Sequence, residues 1–305
     1  MRKLQRDPKQ RKAAFRLTDQ ETNTPIIDCN QQLHRITEHY QTFFNTAVPD
    51  PTLEAFPQEF TNQPLDIPIS SEEIFVASQA LTNGKATGPD QLPAEALKYI
   101  DIDQSNFHIQ LATTLNNMFT TSQPIEATQN AYLCPFNKPK GTPVVTNLRP
   151  ISLLNSIRKL LEIMTLNRLR PHAEQYIGSN QSAQRNRSTA DIIWTIRYLQ
   201  AYAIKTGRPI YCLGIDLSKA FDTVDRTLLL TILKPIVPRD IFRLIQYLLA
   251  HTLYYPKIFT NIAEAFLAST GVPQGGALSV ALFTGSRNER NQSNRVTTNL
   301  YNKFI

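Results

Sequence analysis

The stretch Gly214-Ile215-Asp216-Leu217-Ser218-Lys219-Ala220-Phe221-Asp222-Thr223-Val224 sets a carboxylate at the end of a short apolar run, with an aromatic ring five residues on. A carboxylate fixed at a strand end can hold a hard cation such as Mg²⁺. The same residue type also starts turns and caps helices. Two-metal chemistry needs further carboxylates to share the charge. Asp222 and Asp225 are the nearest, but the chain turns into a helix there. Asp222 or Thr223 suits its N-cap, and Asp225 favours the helix N-terminus electrostatically. Neither is assigned as a metal ligand. Cys29, His34 and His39 form a second possible donor set, spaced C-x4-H-x4-H. A structural zinc needs four ligands, and no second cysteine lies nearby. Residues five apart on a helix point about 140° from each other. No zinc is expected.

The elements that must position these residues follow from hydrophobic period and punctuation. One helix is predicted over about Asp28 to Asn45. A proline-rich stretch follows, and Ser70 with Glu73 makes a capping box for a helix to Leu81, stopped at Asn83-Gly84. A loop bearing glycine and proline opens another helix near Pro93. Further helices are expected over 107–120, 151–170 (ended by Pro171), 189–206 (ended by Gly207), 223–234 and 239–250. Strands are expected over Ala131 to Asn137 and Ile210 to Leu217, with a hairpin over about 254–268. Helices alternating with short strands indicate α/β or α+β.

Composition narrows the classes. The 305 residues suffice for one large domain or two small ones, and 41% are hydrophobic, as in chains that bury a core. The densest apolar run, Leu228 to Leu233, is too short to span a bilayer, so no membrane partner is expected. The basic N-terminus has no apolar stretch behind it and reads as no secretory signal. Three widely spaced cysteines argue for reduced thiols in an intracellular protein, with nucleus and cytoplasm undistinguished. The formal charge of +7 conceals an asymmetry: +5 in residues 1–20, −11 in 21–137, +9 in 138–208 and +4 in 209–305. A block of +9 reads as a surface facing a polyanion, nucleic acid being the obvious one.

Six stretches then fall in order: NGKATGPDQLPAE (83–95), AYLCPFNKPK (131–140), NLRPISLLNSIRKLLE (147–162), NQSAQRNRSTADIIW (180–194), GIDLSKAFDTV (214–224) and GVPQGGALSVALF (271–283). Together they closely resemble the reverse transcriptase domain of non-LTR (LINE-type) retrotransposons, over about residues 70–285. The resemblance implies an α+β right-hand polymerase fold. A basic arm and linker region (1–69) would precede fingers (70–208) and a partial palm (209–284), with a polar, disordered tail (285–305) and no thumb. It implies Mg²⁺ or Mn²⁺ held by Asp216 and the Leu217 carbonyl, and a deoxynucleotide held by Lys138, Arg149 and Gln274. Phe221 matches the aromatic under the incoming sugar, where an apolar wall excludes a ribose 2′-hydroxyl. Arg158, Lys159, Arg185 and Arg187 would line the template side, and the partners would be an RNA template, an RNA–DNA duplex and deoxynucleotides.

The sequence departs from that family after the GVPQG segment. The family's aromatic-x-Asp-Asp hairpin, which supplies the second carboxylate cluster, should follow GVPQG. This sequence has no Asp-Asp pair, and its last aspartate is Asp240. The text after Phe283 turns polar without a period. The expectation is a reverse transcriptase domain inactive as this truncated chain. The alternatives are a non-catalytic nucleic-acid-binding remnant and a functionless retroelement fragment.

Overall fold

The computed structural model describes residues 15–45, 61–100, 106–138, 141–173, 188–214, 217, 219–250 and 252–284. The fold is α+β. Two short strands, β1 (Leu17–Thr18) and β2 (Pro25–Ile26), pair antiparallel ahead of helix α1 (Cys29–Phe44). Asp28 starts α1 by accepting from the Asn30 and Gln31 amides. Helix α2 (Ser71–Gln79) carries the capping box expected of Ser70 and Glu73. Helices α3 (Ala94–Tyr99) and α4 (Phe107–Thr121) follow, then strand β3 (Asn130–Asn137).

The predicted helix over 151–170 is two elements. Strand β4 (Leu148–Leu154) comes first, then helix α5 (Ser156–Ala173). Pro150 holds Arg149 extended and has no amide of its own to give a helix. Leu148, Pro150, Ser152 and Leu154 alternate buried with less buried neighbours, which is strand period. Pro171 does not stop α5, which runs two residues further with the proline in its last turn. Helix α6 (Thr189–Thr206) ends at Gly207, whose φ of +64° suits a left-handed cap. Helices α7 (Arg226–Leu233) and α8 (Arg239–Ala250) lead to strands β5 (Leu253–Ile258), β6 (Asn261–Ile262) and β7 (Phe266–Leu267).

The main sheet runs β4-β3-β5-β6, with β7 also on β5. Strands β3 and β4 are antiparallel, Leu133 facing Ser152 and Phe136 facing Arg149. Strand β5 joins β3 in parallel, so the sheet unites residues from both sides of position 208. Helix α1 packs Leu33, Ile36, Tyr40 and Phe44 against Ala131, Leu133, Tyr254 and Phe266. A second core gathers α2, α4, α5, α7 and α8, with Leu115, Phe119, Leu160, Leu161 and Leu244 fully buried. Each such side chain contributes roughly 1.5–3 kcal/mol by leaving water. Among the described residues no helix is long and apolar enough to cross a membrane.

Two buried arginines close the end of α8. The carbonyls of a helix's last turn lack intrahelical partners. Leu248 O accepts from Arg158 Nη2 at 2.5 Å, and Leu249 O from Arg226 Nη1 at 2.6 Å. Arg158 also bonds Thr128 O, Thr252 and, at 3.1 Å, Glu162. With 1% of its surface exposed, Arg158 cannot meet a template, which corrects the expectation from its charge. The sequence shows a cation; the carbonyls that consume it belong to distant residues.

The predicted strand over 210–217 is also corrected where it is described. Residues 208–214 form no strand, and Tyr211 and Leu213 are 92% and 84% exposed. A strand exists only where a neighbour takes its backbone groups, and the sheet pairings include none with this segment.

Candidate functional site

Three separated segments meet beside the β4–α5 junction. The turn 219–225 is closed by the Asp222 and Thr223 amides donating to Lys219 O. The loop 271–276 lies against it: the Gly271 amide donates to Val224 O and the Val272 amide to Phe221 O, each at 2.8 Å. On the loop's other side the Ser152 amide of β4 donates to Gln274 O at 2.8 Å. Such backbone approaches require glycine. A Cβ on Gly271 (φ +76°) would stand 2.7 Å from Asp222 O, and one on Gly275 (φ +119°) 2.9 Å from Ser152 O. Arg226 holds the same loop from beneath, its Nε donating to Gly271 O at 2.7 Å. Burial lowers that guanidinium to about 10.

Asp222 is the electrostatic centre of this junction. It is 3% exposed and accepts from Gln274 Nε2 at 2.6 Å. Burial raises its carboxyl to about 6, against the opposing effects of the Gln274 hydrogen bond, Lys219 and Lys138. Asp222 is therefore no helix cap. Asp225 caps α7, accepting from the Leu228 amide at 3.0 Å, because the helix begins three residues later than expected. Lys219 holds a left-handed φ of +52°. Its ammonium sits 4.1 Å above the Phe43 ring of α1. Burial lowers the pKa of Lys219, Lys138 lowers it further, and Asp222 opposes both. His39, stacked on Phe43 with ring centroids 5.9 Å apart, is lowered by burial and then by Lys219. Tyr40 is buried near Asp222, and both effects raise its phenol.

Of the residues expected in the site, Phe221 and Gln274 lie on the two segments joined by the Val272–Phe221 hydrogen bond, and Lys138 is within electrostatic reach of that junction. Lys138 acts electrostatically on Lys219 and Asp222. Phe221 is half-buried, with its ring 5.1 Å from that of Phe283. Arg149 is exposed on β4 opposite Phe136. Lys159 is half-buried, and its ammonium donates to Ala86 O at 3.2 Å, tying α5 to the loop before Asp90. Asp90 in turn accepts from the Ser156 amide at 2.8 Å. Leu217 is described but Asp216, Arg185 and Arg187 lie outside the described residues. Lys219, the Asp222–Gln274 pair and the α1 aromatics were missed by sequence reasoning. A signal existed only for α1, whose His39, Tyr40, Phe43 and Phe44 cluster at helical spacing.

Among the described residues no three His, Cys, Asp or Glu side chains converge, and Asp216 is not one of them.

The family described as reverse transcriptase (RNA-dependent DNA polymerase) matches residues 136–301, more than half the chain. The chain belongs to the reverse transcriptase family. It is 27% identical over 222 residues to the "Transposon TX1 uncharacterized 149 kDa protein" of Xenopus laevis, covering 69% of this chain and 16% of that protein. It is likewise 27% identical over 226 residues to the "Probable RNA-directed DNA polymerase from transposon BS" of Drosophila melanogaster, covering 71% of this chain and 24% of that one. The reverse-transcriptase-like domain here is of the retrotransposon kind. It spans at most about a quarter of the relatives it matches.

Proposed function

We propose that this reverse transcriptase domain binds an incoming deoxynucleotide where β3, the 219–225 turn and the 271–276 loop meet. The observation that carries this reading is the convergence of Lys138, Lys219 and Gln274, far apart in sequence, around one buried carboxylate. Two ammonium groups within electrostatic reach of each other repel, and a polyphosphate relieves that repulsion. Gln274, held by Asp222, and Phe221 would flank the sugar and base, with Arg149 meeting phosphate from β4. Residues 70–208 then act as fingers and 209–284 as part of a palm. Asp216, with the Leu217 carbonyl, is the group that would hold Mg²⁺ or Mn²⁺; no further step is assigned to the ion. Template RNA and an RNA–DNA duplex would lie against the basic segment, with Arg185 and Arg187 contributing phosphate contacts.

Equilibrium binding of a deoxynucleoside triphosphate to the wild-type chain and to Lys138→Ala and Gln274→Ala tests the reading. Each variant should bind several-fold more weakly. Unchanged affinity in both would remove the site from the account.

A second reading, a non-catalytic nucleic-acid binder, is favoured by α6. None of its residues is buried, and Trp194 stacks on Tyr198 at 5.7 Å. Arg197, Lys205 and Arg208 lie on or beside that helix. Aromatics with interleaved cations suit single-stranded nucleic acid. Binding of RNA that weakens steeply with salt but ignores Lys138→Ala would favour this reading.

A further inference from the structure

Helix α1 belongs to the segment that composition marks as arm and linker, yet its last turns reach the nucleotide site proposed above. The Lys219 ammonium rests 4.1 Å over the Phe43 ring. The His39 imidazole stacks with that ring, 17° from parallel. Tyr40, one residue from His39, is 1% exposed and lies within electrostatic reach of Asp222. The helix is thus anchored in the sheet by Leu33, Ile36, Tyr40 and Phe44, and presents Phe43 on the side facing the turn.

The placement of Lys219 is costly. Its backbone holds φ +52°, a region a residue with a Cβ rarely occupies without a compensating reason. Its ammonium is half-buried within electrostatic reach of a second ammonium, Lys138. Asp222, the carboxylate in electrostatic reach of it, also accepts from Gln274. A lysine free to move would swing into water. The face of an aromatic ring attracts a cation and fixes its direction without neutralising it. That arrangement leaves the charge available to an anion, which a salt bridge would not.

We propose that Phe43, stacked with His39, is a positioning residue of the nucleotide site: it holds the Lys219 ammonium so that, with Lys138, it faces the polyphosphate of a deoxynucleotide. The inference rests on the nucleotide-site reading and adds α1 and Lys219 to it. Phe43 touches no substrate; it acts through Lys219.

The test is equilibrium binding of a fluorescent methylanthraniloyl deoxyadenosine triphosphate to the 305-residue chain, with inorganic tripolyphosphate as competitor. Lys219→Met should weaken binding. Phe43→Leu should weaken it about two- to thirty-fold, the span of a cation–π contact. Phe43→Tyr, which keeps the ring, should bind within about twofold of wild type. Phe43 is half-buried, so these variants are expected to fold, and thermal unfolding checks that they do. The discriminating arm is the double variant: Phe43→Leu should cost nothing further in a Lys219→Met background. Equal loss in both backgrounds would mean that Phe43 only shapes the fold, and would overturn the proposal. So would normal binding by Phe43→Leu or by Lys219→Met while Lys138→Ala is impaired, an outcome that leaves the nucleotide site standing. Failure of the wild-type chain to bind either probe would overturn both.

Discussion

Replacing Asp222 with asparagine isolates the electrostatic strain at the centre of the site. The carboxyl is almost wholly buried, and it titrates near 6 rather than at its ordinary 3.8. Between those values the folded protein holds a proton that the unfolded chain has released. Stability therefore falls as pH rises through that window and stays lowered above it. At about 1.36 kcal/mol per unit the penalty is roughly 3 kcal/mol at neutral pH. Asparagine keeps an oxygen to accept from Gln274 Nε2 and carries no charge to desolvate. Asp222→Asn should accordingly be more stable than wild type by roughly 3 kcal/mol at pH 7, with the difference closing towards pH 4. Urea unfolding of both proteins at half-unit pH steps measures this. A difference that does not change with pH, or a wild type more stable than the variant at pH 7, would refute the assignment of Asp222 as a buried, strained carboxylate.

Three further outcomes are expected. Arg158→Ala should destabilise the fold by about 3–5 kcal/mol, since it leaves buried Glu162 unpaired, while Arg158→Ala with Glu162→Ala should recover much of the loss in urea unfolding. Amide hydrogen exchange should be slow through α5, which carries buried Leu160, Leu161 and Met164, and fast through α6, which buries none of its residues; equal protection would show that α6 has a partner in solution. Primer extension on an RNA template with Mg²⁺ or Mn²⁺ should be the same background for the 305 residues as for their Asp216→Ala variant, because the sequence supplies no Asp-Asp pair; extension dependent on Asp216 would mean that another acidic group completes the centre.

Local rules made much of the scaffold legible. Ser70 and Glu73 announced α2, Gly207 announced the end of α6, and the run Ala131 to Asn137 announced β3. The β4–α5 boundary was not legible because Ile151, Leu153 and Leu154 satisfy both helical and strand period. Pairing with β3 decides between them, and that pairing is a long-range fact. Arg158 misled for a related reason. Its charge is visible in sequence, but the Thr128 and Leu248 carbonyls that bury it are not. The site was half legible. Lys138, Phe221 and Gln274 stand in recognisable motifs, whereas the α1 aromatics lie more than ninety residues upstream of Lys138 and come to the Lys219 turn only through the packing of α1 on the sheet. Asp222 and Asp225 are three residues apart with the same chemistry, and only the start of α7 at Arg226 separates a cap from a buried site residue.

The central claim is that β3, the 219–225 turn and the 271–276 loop form one nucleotide site. Photo-crosslinking two deoxynucleoside triphosphate probes, one with an azido group on its base and one with an azidoanilide on its γ-phosphate, followed by mass spectrometry of the adducts, tests it most directly. The account predicts adducts on peptides containing residues 136–138, 219–222 and 271–276, all suppressed by excess unmodified nucleotide. Competable adducts confined to residues 188–208, with none on those three segments, would contradict it.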